Sequence, residues 1–171
     1  MTESTVDTAR STMPVRFRTM MSGFPTGVAV VTTTDVDGRP RGMTCSSVCS
    51  VTMEPPTLLV CLRTESPTLH AILRIGAFAV NLLHSEGEAV AQLFSSRCAD
   101  RFDFATWRCG RRSGLPHLVR DAHVIADCRV SDSLPVGDHV VVFGQPEHVT
   151  ELGGHPPLLY GLRQYRRWPN R

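Results

Sequence analysis

The residues best suited to contact a ligand form a short uncharged run at positions 42–50, Gly-Met-Thr-Cys-Ser-Ser-Val-Cys-Ser. Strand-like sequence stands on both sides of the run, yet strands usually carry larger β-branched or aromatic side chains. Such a run either packs tightly within β-structure or presents hydroxyl and backbone N–H groups to a ligand. The candidate ligand contacts in the run are Thr44, Cys45, Ser46, Ser47, Cys49 and Ser50.

Two further segments have the chemistry to bind a phosphate group. Ser66-Pro67-Thr68 follows Arg63 and opens a predicted helix, and a helix N-terminus beside a guanidinium suits an anion. Asp100-Arg101-Phe102 follows Ser95-Ser96 in the stretch 95–117, which predicts no regular structure. Each segment also has a structural interpretation, because Ser66 is a good helix N-cap and Arg101 could form a weak surface ion pair with Asp100.

Gly137-Asp138-His139 places a histidine at the start of the predicted strand 139–143. A histidine there can hydrogen-bond a ligand or stabilise charge, but a His beside an Asp, taken alone, is more often a structural pair. Tyr160, in a Pro-Leu-Leu-Tyr segment, has an aromatic ring that could stack on a ligand or shape a pocket. His139 is the candidate catalytic residue, and Tyr160 is a further candidate contact.

Several known signatures are absent. No Gly-x-Gly-x-x-Gly, Gly-x-Ser-x-Gly or His-Glu-x-x-His occurs, so Rossmann, nucleophile-elbow and zincin sites are excluded. All 18 basic residues are Arg, which excludes a lysine Schiff base and leaves Arg as the fixed cation for phosphate. The six cysteines contain no Cys-x-x-Cys pair, and Cys98 and Cys109 with a histidine match no standard zinc spacing, so no metal is expected.

The elements around these residues predict a mainly β, antiparallel fold. A β-prone run at 28–34, an Asp-Gly turn and a returning strand that carries the 42–50 run form a hairpin. Further strands are expected at 57–62, 77–83 and 123–130. With only two or three short helices, this pattern favours a barrel or sandwich. The predicted helices begin near Pro14, after Ser66, and after a capping box formed by Ser85 and Glu88.

Composition and length limit the remaining possibilities. A chain of 171 residues suits one domain, here 14–171, after a polar segment 1–13 that we expect to be disordered. The net charge of +2 gives no basic footprint for nucleic acid. No apolar run is long enough to cross a membrane, and the N-terminus lacks the apolar core of a signal peptide, so we expect a cytoplasmic protein.

Five local patterns in a fixed order closely resemble the flavin reductase-like family, the short-chain NAD(P)H:flavin oxidoreductases of two-component monooxygenases. The resemblance covers roughly residues 15 to 167. The patterns are Phe24-Pro25-Thr26-Gly27-Val28, the 42–50 run followed by Pro55-Pro56, Ser95-Ser96 with Asp100-Arg101-Phe102, Gly137-Asp138-His139 with the strand after it, and Tyr160.

The resemblance implies an FMN-binding split β-barrel with Greek-key topology, a homodimer, and flavin bound near the subunit interface. It implies that NADH or NADPH reduces free FAD or FMN by hydride transfer, and that reduced flavin passes to a partner flavin-dependent monooxygenase. His139 then lies on the nicotinamide side. Cys45 and Cys49 stand where many relatives carry other small residues, and we expect these thiols to be sensitive to oxidation. The flavin contacts implied by the family are Thr44, Ser46, Ser47, Ser50, Arg63, Ser66, Thr68, Ser96, Arg101 and Phe102.

Two other functions remain open on the sequence alone. One is a split-barrel flavoprotein that holds FMN tightly and acts on an organic substrate. The other is a non-enzymatic module that binds flavin. The sequence decides neither between FAD and FMN nor between NADH and NADPH.

Overall fold

The computed structural model describes residues 3–168, with side chains described from Thr12 onward. A short 3-10 helix also occurs, at Arg101–Phe104. The regular elements in chain order are α1 (Glu3–Ser22), β1 (Thr26–Gly27), β2 (Ala29–Thr34), β3 (Pro40–Cys45), β4 (Val48–Met53), β5 (Pro56–Arg63), α2 (Pro67–Ile75), β6 (Ala77–Leu83), α3 (Glu88–Ser95), β7 (Arg108–Cys109), β8 (Pro116–His117), β9 (Ala122–Val136), β10 (His139–Glu151), β11 (Leu158–Gly161) and β12 (Gln164–Arg167).

Seven strands form one antiparallel sheet in the order β3-β2-β6-β9-β10-β5-β4. The two outer strands, β3 and β4, are consecutive in the chain and are joined by only Ser46 and Ser47. The sheet therefore returns to its own starting edge, but no ladder of hydrogen bonds joins β3 to β4 among the described residues. This open junction, which we call the split, confirms the prediction of an antiparallel split barrel and falls within the 42–50 run.

The register of the long hairpin of β9 and β10 shifts at two bulges, after Phe143 and after Pro146. The first half of β10 pairs with both β9 and β5, whereas the second half pairs with β9 alone. Gly144 lies at the first bulge, where an added Cβ would stand 2.4 Å from the Phe78 ring. Only a glycine lets the backbone of β10 cross Phe78 this closely.

Two apolar clusters stabilise the sheet from its two faces. The first contains Leu69 and Ile72 of α2 and Phe78 of β6. The second contains Phe94 of α3 and Phe102 of the 3-10 helix. Helices α2 and α3 pack against β2 and β3 from opposite faces of the sheet. The start of α2 and the end of α3 can therefore both lie beside β3, which is an edge strand.

The two short helices differ in how they begin. As predicted, the Ser66 side chain caps α2 by accepting from the Leu69 N–H, and Gly76 ends that helix at a φ of 75°. The predicted capping box before α3 is wrong, because Gly87 is the N-cap and no side chain caps the helix. Ser85 is instead buried in a turn, where its N–H donates to the Pro156 carbonyl.

Helix α1 spans Glu3–Ser22 and so covers most of the segment 1–13 for which the sequence predicts disorder. No glycine or proline stands between Glu3 and Met13, so nothing in this stretch interrupts a helix. Residues 1 and 2 lie outside the described residues. Within 3–168, no helix combines the length and apolar character that crossing a bilayer requires.

Candidate functional site

A cleft of about 440 Å³ lies where β3, the start of α2 and the end of α3 meet. The Ser95-Ser96 pair and the 3-10 helix form its remaining wall. The structure thus brings together residues that are far apart in the sequence. The predicted site residues that line this cleft are Thr44, Ser66, Thr68, Ser96, Arg101 and Phe102.

Gly42 forms the floor of this cleft. A Cβ at this position would lie 3.0 Å from the Phe94 ring and 3.1 Å from the Phe102 ring. Phe102 is buried and makes edge-to-face contacts with Phe94 and Trp107, at centroid distances of 4.9 and 5.5 Å. The sequence motifs assign no separate role to Gly42, although a glycine inside a strand often marks a close approach of backbone.

Arg101 holds the cleft together through carbonyl groups. Its guanidinium donates to the carbonyls of Cys98 (2.9 Å), Gly42 (3.0 Å), Phe94 (3.1 Å) and Ser96 (3.1 Å). A guanidinium has five N–H donors, so one remains for a ligand. Among the described residues no carboxylate forms an ion pair with Arg101, so the surface pair with Asp100 is not formed.

The hydroxyl groups of the cleft are partly engaged by the protein. Thr44 donates to the Ala91 carbonyl at 2.6 Å, and Ser96 donates to the Leu93 carbonyl at 2.7 Å. Ser66 donates to the Met43 sulfur at 3.2 Å while capping α2. Thr68 is 5% exposed in the first turn of α2, and its backbone N–H has no partner within the helix. The N–H groups of Leu69 and His70 both donate to Ser66, so the helix N-terminus offers an anion the Thr68 N–H and its positive potential.

The rest of the 42–50 run divides at the split. Cys45 points into the barrel core with its sulfur 3.8 Å from the Cys61 carbonyl, and burial raises the pKa of its thiol to about 11. The Cys45 thiol is therefore buried and not presented to a ligand, and a ligand contact by this residue stays a prediction. Its neighbours beyond the split point outward, because the chain leaves β3 there. The exposed residues of this part are Ser46, Ser47, Cys49 and Ser50.

His139 starts β10 directly opposite Arg63, the last residue of β5. Its Nδ1 lies 2.7 Å from Asp138 Oδ1, and this hydrogen bond holds the pKa of the Asp138 carboxyl below its ordinary value. The Thr64 N–H donates to the Asp138 carbonyl, which fixes the turn to the loop before α2. His139 and Arg63 are thus adjacent to the cleft's helix, although neither lines the 440 Å³ volume.

Tyr160 is not part of this site. It lies in β11, pairs with Thr26 of β1, and packs on Tyr165 with ring centroids 5.1 Å apart. It lines a separate depression against α1. The small β1-β11-β12 sheet places Tyr160 beside the N-terminal helix and outside the 440 Å³ cleft, so a ligand contact by Tyr160 stays a prediction.

Comparisons with known proteins identify the family. Residues 21–169 match the family model described as flavin reductase like domain. The chain is 50% identical to flavin reductase (NADPH) of Lentzea aerocolonigenes over 151 residues, 88% of each chain. It is 43% identical to flavin reductase (NADH) of Kitasatospora aureofaciens over 157 residues, which cover 90% of this chain and 81% of the relative.

A solved structure extends these matches to the fold. The NADH:FAD oxidoreductase SgcE6 of Streptomyces globisporus C-1027, in complex with NAD and FAD fragments, superposes with a TM-score of 0.85 at 30% identity. The match covers 92% of this chain and 93% of that one. The predictions of family and fold are both confirmed. The arrangement of strands, the order of the motifs and the matches over most of the chain show that this protein belongs to the flavin reductase-like family.

Proposed function

We propose that this protein is an NAD(P)H:flavin oxidoreductase, which reduces free FAD or FMN and releases reduced flavin to a partner flavin-dependent monooxygenase. The observation that carries the proposal is the cleft at the N-terminus of α2, next to the split and to His139. The relatives that match over most of this chain are named as flavin reductases with NADPH or NADH.

The cleft fits the phosphate-bearing part of a flavin. The start of α2 supplies the Thr68 N–H, Ser66 and Thr68 supply hydroxyls, and Arg101 retains one unused donor. Each of these groups favours negative charge, which supports a phosphate at this end.

The split between β3 and β4 fits the isoalloxazine ring of a flavin. The Cys61 N–H donates to the Ser47 carbonyl on one side of β5, and His139 pairs with Arg63 on the other side, two residues along. A planar ligand that contacts Ser46 and Ser47 therefore lies within reach of His139. Flavin and nicotinamide carry the hydride chemistry themselves when both are bound, so the protein must align two rings and exclude water.

His139 has a hydrogen-bonding state suited to a carboxamide. A carboxylate accepts only, so the Asp138 contact assigns the proton to His139 Nδ1. In the neutral imidazole, Nε2 then accepts a hydrogen bond. This geometry supports a role for His139 in orienting the nicotinamide carboxamide.

The direct test is an absorbance assay of NADH and NADPH oxidation with added FAD and FMN in each combination. We expect turnover to depend on added flavin. Turnover that proceeds without added flavin, by protein purified with bound FMN and given an organic substrate, would favour the alternative flavoprotein. Flavin binding without oxidation of NADH or NADPH in any combination would indicate the non-enzymatic module that binds flavin.

We also propose a homodimer. Strand β4 is an edge strand whose outer residues are exposed, including the apolar Val51 and Met53. Leu134 and Val136 of β9 are exposed as well. Exposed apolar side chains along an unpaired edge are typical of surfaces that a second subunit covers. Light scattering should give twice the 18.8 kDa chain mass, and Met53→Glu should shift the protein toward the monomer.

A cytoplasmic location completes the proposal. All six cysteines are free thiols, which suits a reducing compartment. NADH and NADPH are also available there.

A further inference from the structure

A second cleft, of about 520 Å³, lies apart from the flavin-binding residues. It is formed by the segment from β7 to β8 and by Asp127 and residues 148–150 of the β9–β10 hairpin. We call it the arginine cleft. Its polar lining consists mainly of Arg108, Arg111, Arg112, His117, Asp127 and His148.

The positive charge of this cleft is not neutralised by the described residues. Arg108, Arg111 and Arg112 are exposed, and none forms an ion pair with a described carboxylate. Asp127 is the carboxylate among the lining residues, and His117 already holds it at 2.7 Å in a buried pair. Exposed arginines usually gain by meeting anions, so three of them around one concave surface indicate an anionic ligand.

The turn that carries these arginines is held in one position. The Gly110 N–H donates to the Leu115 carbonyl at 2.8 Å, and the Gly114 N–H donates to the Gly110 carbonyl at 2.9 Å. A Cβ on Gly110 would lie 2.6 Å from His117 Nε2, so the turn sits directly against the buried His117–Asp127 pair. The backbone that positions Arg111 and Arg112 is therefore ordered before any ligand binds, which lowers the entropic cost of binding.

We propose that the arginine cleft binds a small ligand that carries a diphosphate group, either as free diphosphate or as part of a nucleotide. Guanidinium groups bind phosphate oxygens in a bidentate manner, and a diphosphate has enough charge to engage several of them, whereas one carboxylate does not. The volume of about 520 Å³ lies in the range of small-molecule sites. His148, whose ring approaches Arg112 at 3.5 Å, borders the same surface. The proposal does not depend on flavin reduction.

Calorimetric titration of the full-length protein with pyrophosphate and with ADP tests this site. The titrations are done in saturating FMN, which occupies the flavin cleft, and with NaCl added to hold the ionic strength constant. We expect saturable binding, and we expect Arg111→Ala/Arg112→Ala to weaken it by about tenfold or more. ADP binding tighter than pyrophosphate supports a nucleotide, and equal binding supports recognition of the diphosphate alone.

Two matched variants show whether the effect is local. Arg74→Ala removes an exposed arginine at the end of α2, and Arg101→Ala removes the arginine of the flavin cleft. Both should bind pyrophosphate like the original protein. Thermal melting without ligand checks that each variant folds. Absence of saturable binding up to about 10 mM, or an equal loss in Arg74→Ala, overturns the proposal. The rate of NAD(P)H-dependent FMN reduction should not change in Arg111→Ala/Arg112→Ala, so failure here is distinguishable from failure of the proposed function.

Discussion

The two halves of the 42–50 run contain similar residues but serve opposite purposes. In the first half, within β3, Gly42 contacts aromatic rings, Thr44 is bonded to Ala91, and Cys45 is buried. In the second half, past the split, Ser46 and Ser47 are exposed and their hydroxyls form no described hydrogen bond. Small residues thus allow close packing in one half and leave hydroxyl groups exposed in the other.

Thiol labelling gives the largest expected contrast between the halves. Cys45 is buried with a pKa of about 11, so about one molecule in a thousand carries the thiolate at pH 8. Cys49 is exposed. Iodoacetamide should therefore label Cys49 at least a hundredfold faster, with Cys45 labelling increasing as the pH rises toward 11. Tandem mass spectrometry of tryptic peptide 42–63 distinguishes the sites, and comparable rates at pH 8 would show that Cys45 is accessible.

Removing Arg101 should lower the stability of the protein through the first half of the run, where Arg101 bonds the Gly42 carbonyl. Arg101→Ala leaves four carbonyls, among them that of Gly42, without their donor, and we expect a loss of about 2–4 kcal/mol in the free energy of unfolding. Flavin affinity should also fall. Urea denaturation measures the first effect, with Arg74→Ala as the matched control. A stability equal to that of the control would mean that the carbonyl contacts contribute nothing.

His139 is proposed to orient the nicotinamide, so its replacement should lower the turnover rate and leave the affinity for flavin nearly unchanged. His139→Ala removes the proposed hydrogen bond to the carboxamide, so we expect flavin-saturated turnover to fall about threefold to tenfold. Flavin affinity, measured by fluorescence quenching, should change little. His139→Gln, which keeps an acceptor, should recover part of the rate. An unchanged rate in His139→Ala would remove this residue from the reaction.

The smallest effects come from a pair of hydroxyl deletions. Thr44→Val should cost about 1 kcal/mol of stability because the Ala91 carbonyl loses its donor. Ser47→Ala should change stability by less than about 0.5 kcal/mol, since the side chain is exposed. We expect Ser47→Ala instead to weaken flavin binding by about 0.5–1.5 kcal/mol. Equal stability losses in the two variants would erase the distinction between the halves.

The sequence predicts the antiparallel fold better than the roles of individual residues. The cap at Ser66 is a local signal and is found in the structure, whereas the 42–50 run, predicted on one strand, is divided between β3 and β4. The opposite orientations of Cys45 and Cys49 depend on where the chain leaves one strand and enters the next, which strand periodicity alone does not reveal. Arg101 is a similar case, because its four carbonyl partners come from separate parts of the chain.

The surroundings of Tyr160 and Ser85 could not be predicted from the sequence, for the same reason. Tyr160 belongs to a three-stranded sheet in which β11 pairs with residues 26–27 on one side, and this long-range pairing has no local signature. Ser85 matches a capping pattern, but the bridge between His84 and Pro157 holds it in a turn instead. Tertiary contacts overrode the local preference in both places.

The two-residue connection between β3 and β4 has a mechanical consequence. These strands are the first and last of the sheet, and hydrogen bonds do not join them. A ligand bound across Ser46 and Ser47 would bridge these two unpaired edges and so complete the barrel. The outer amide protons of β3 and β4 should then exchange together, fast without the ligand and slowly when it is bound.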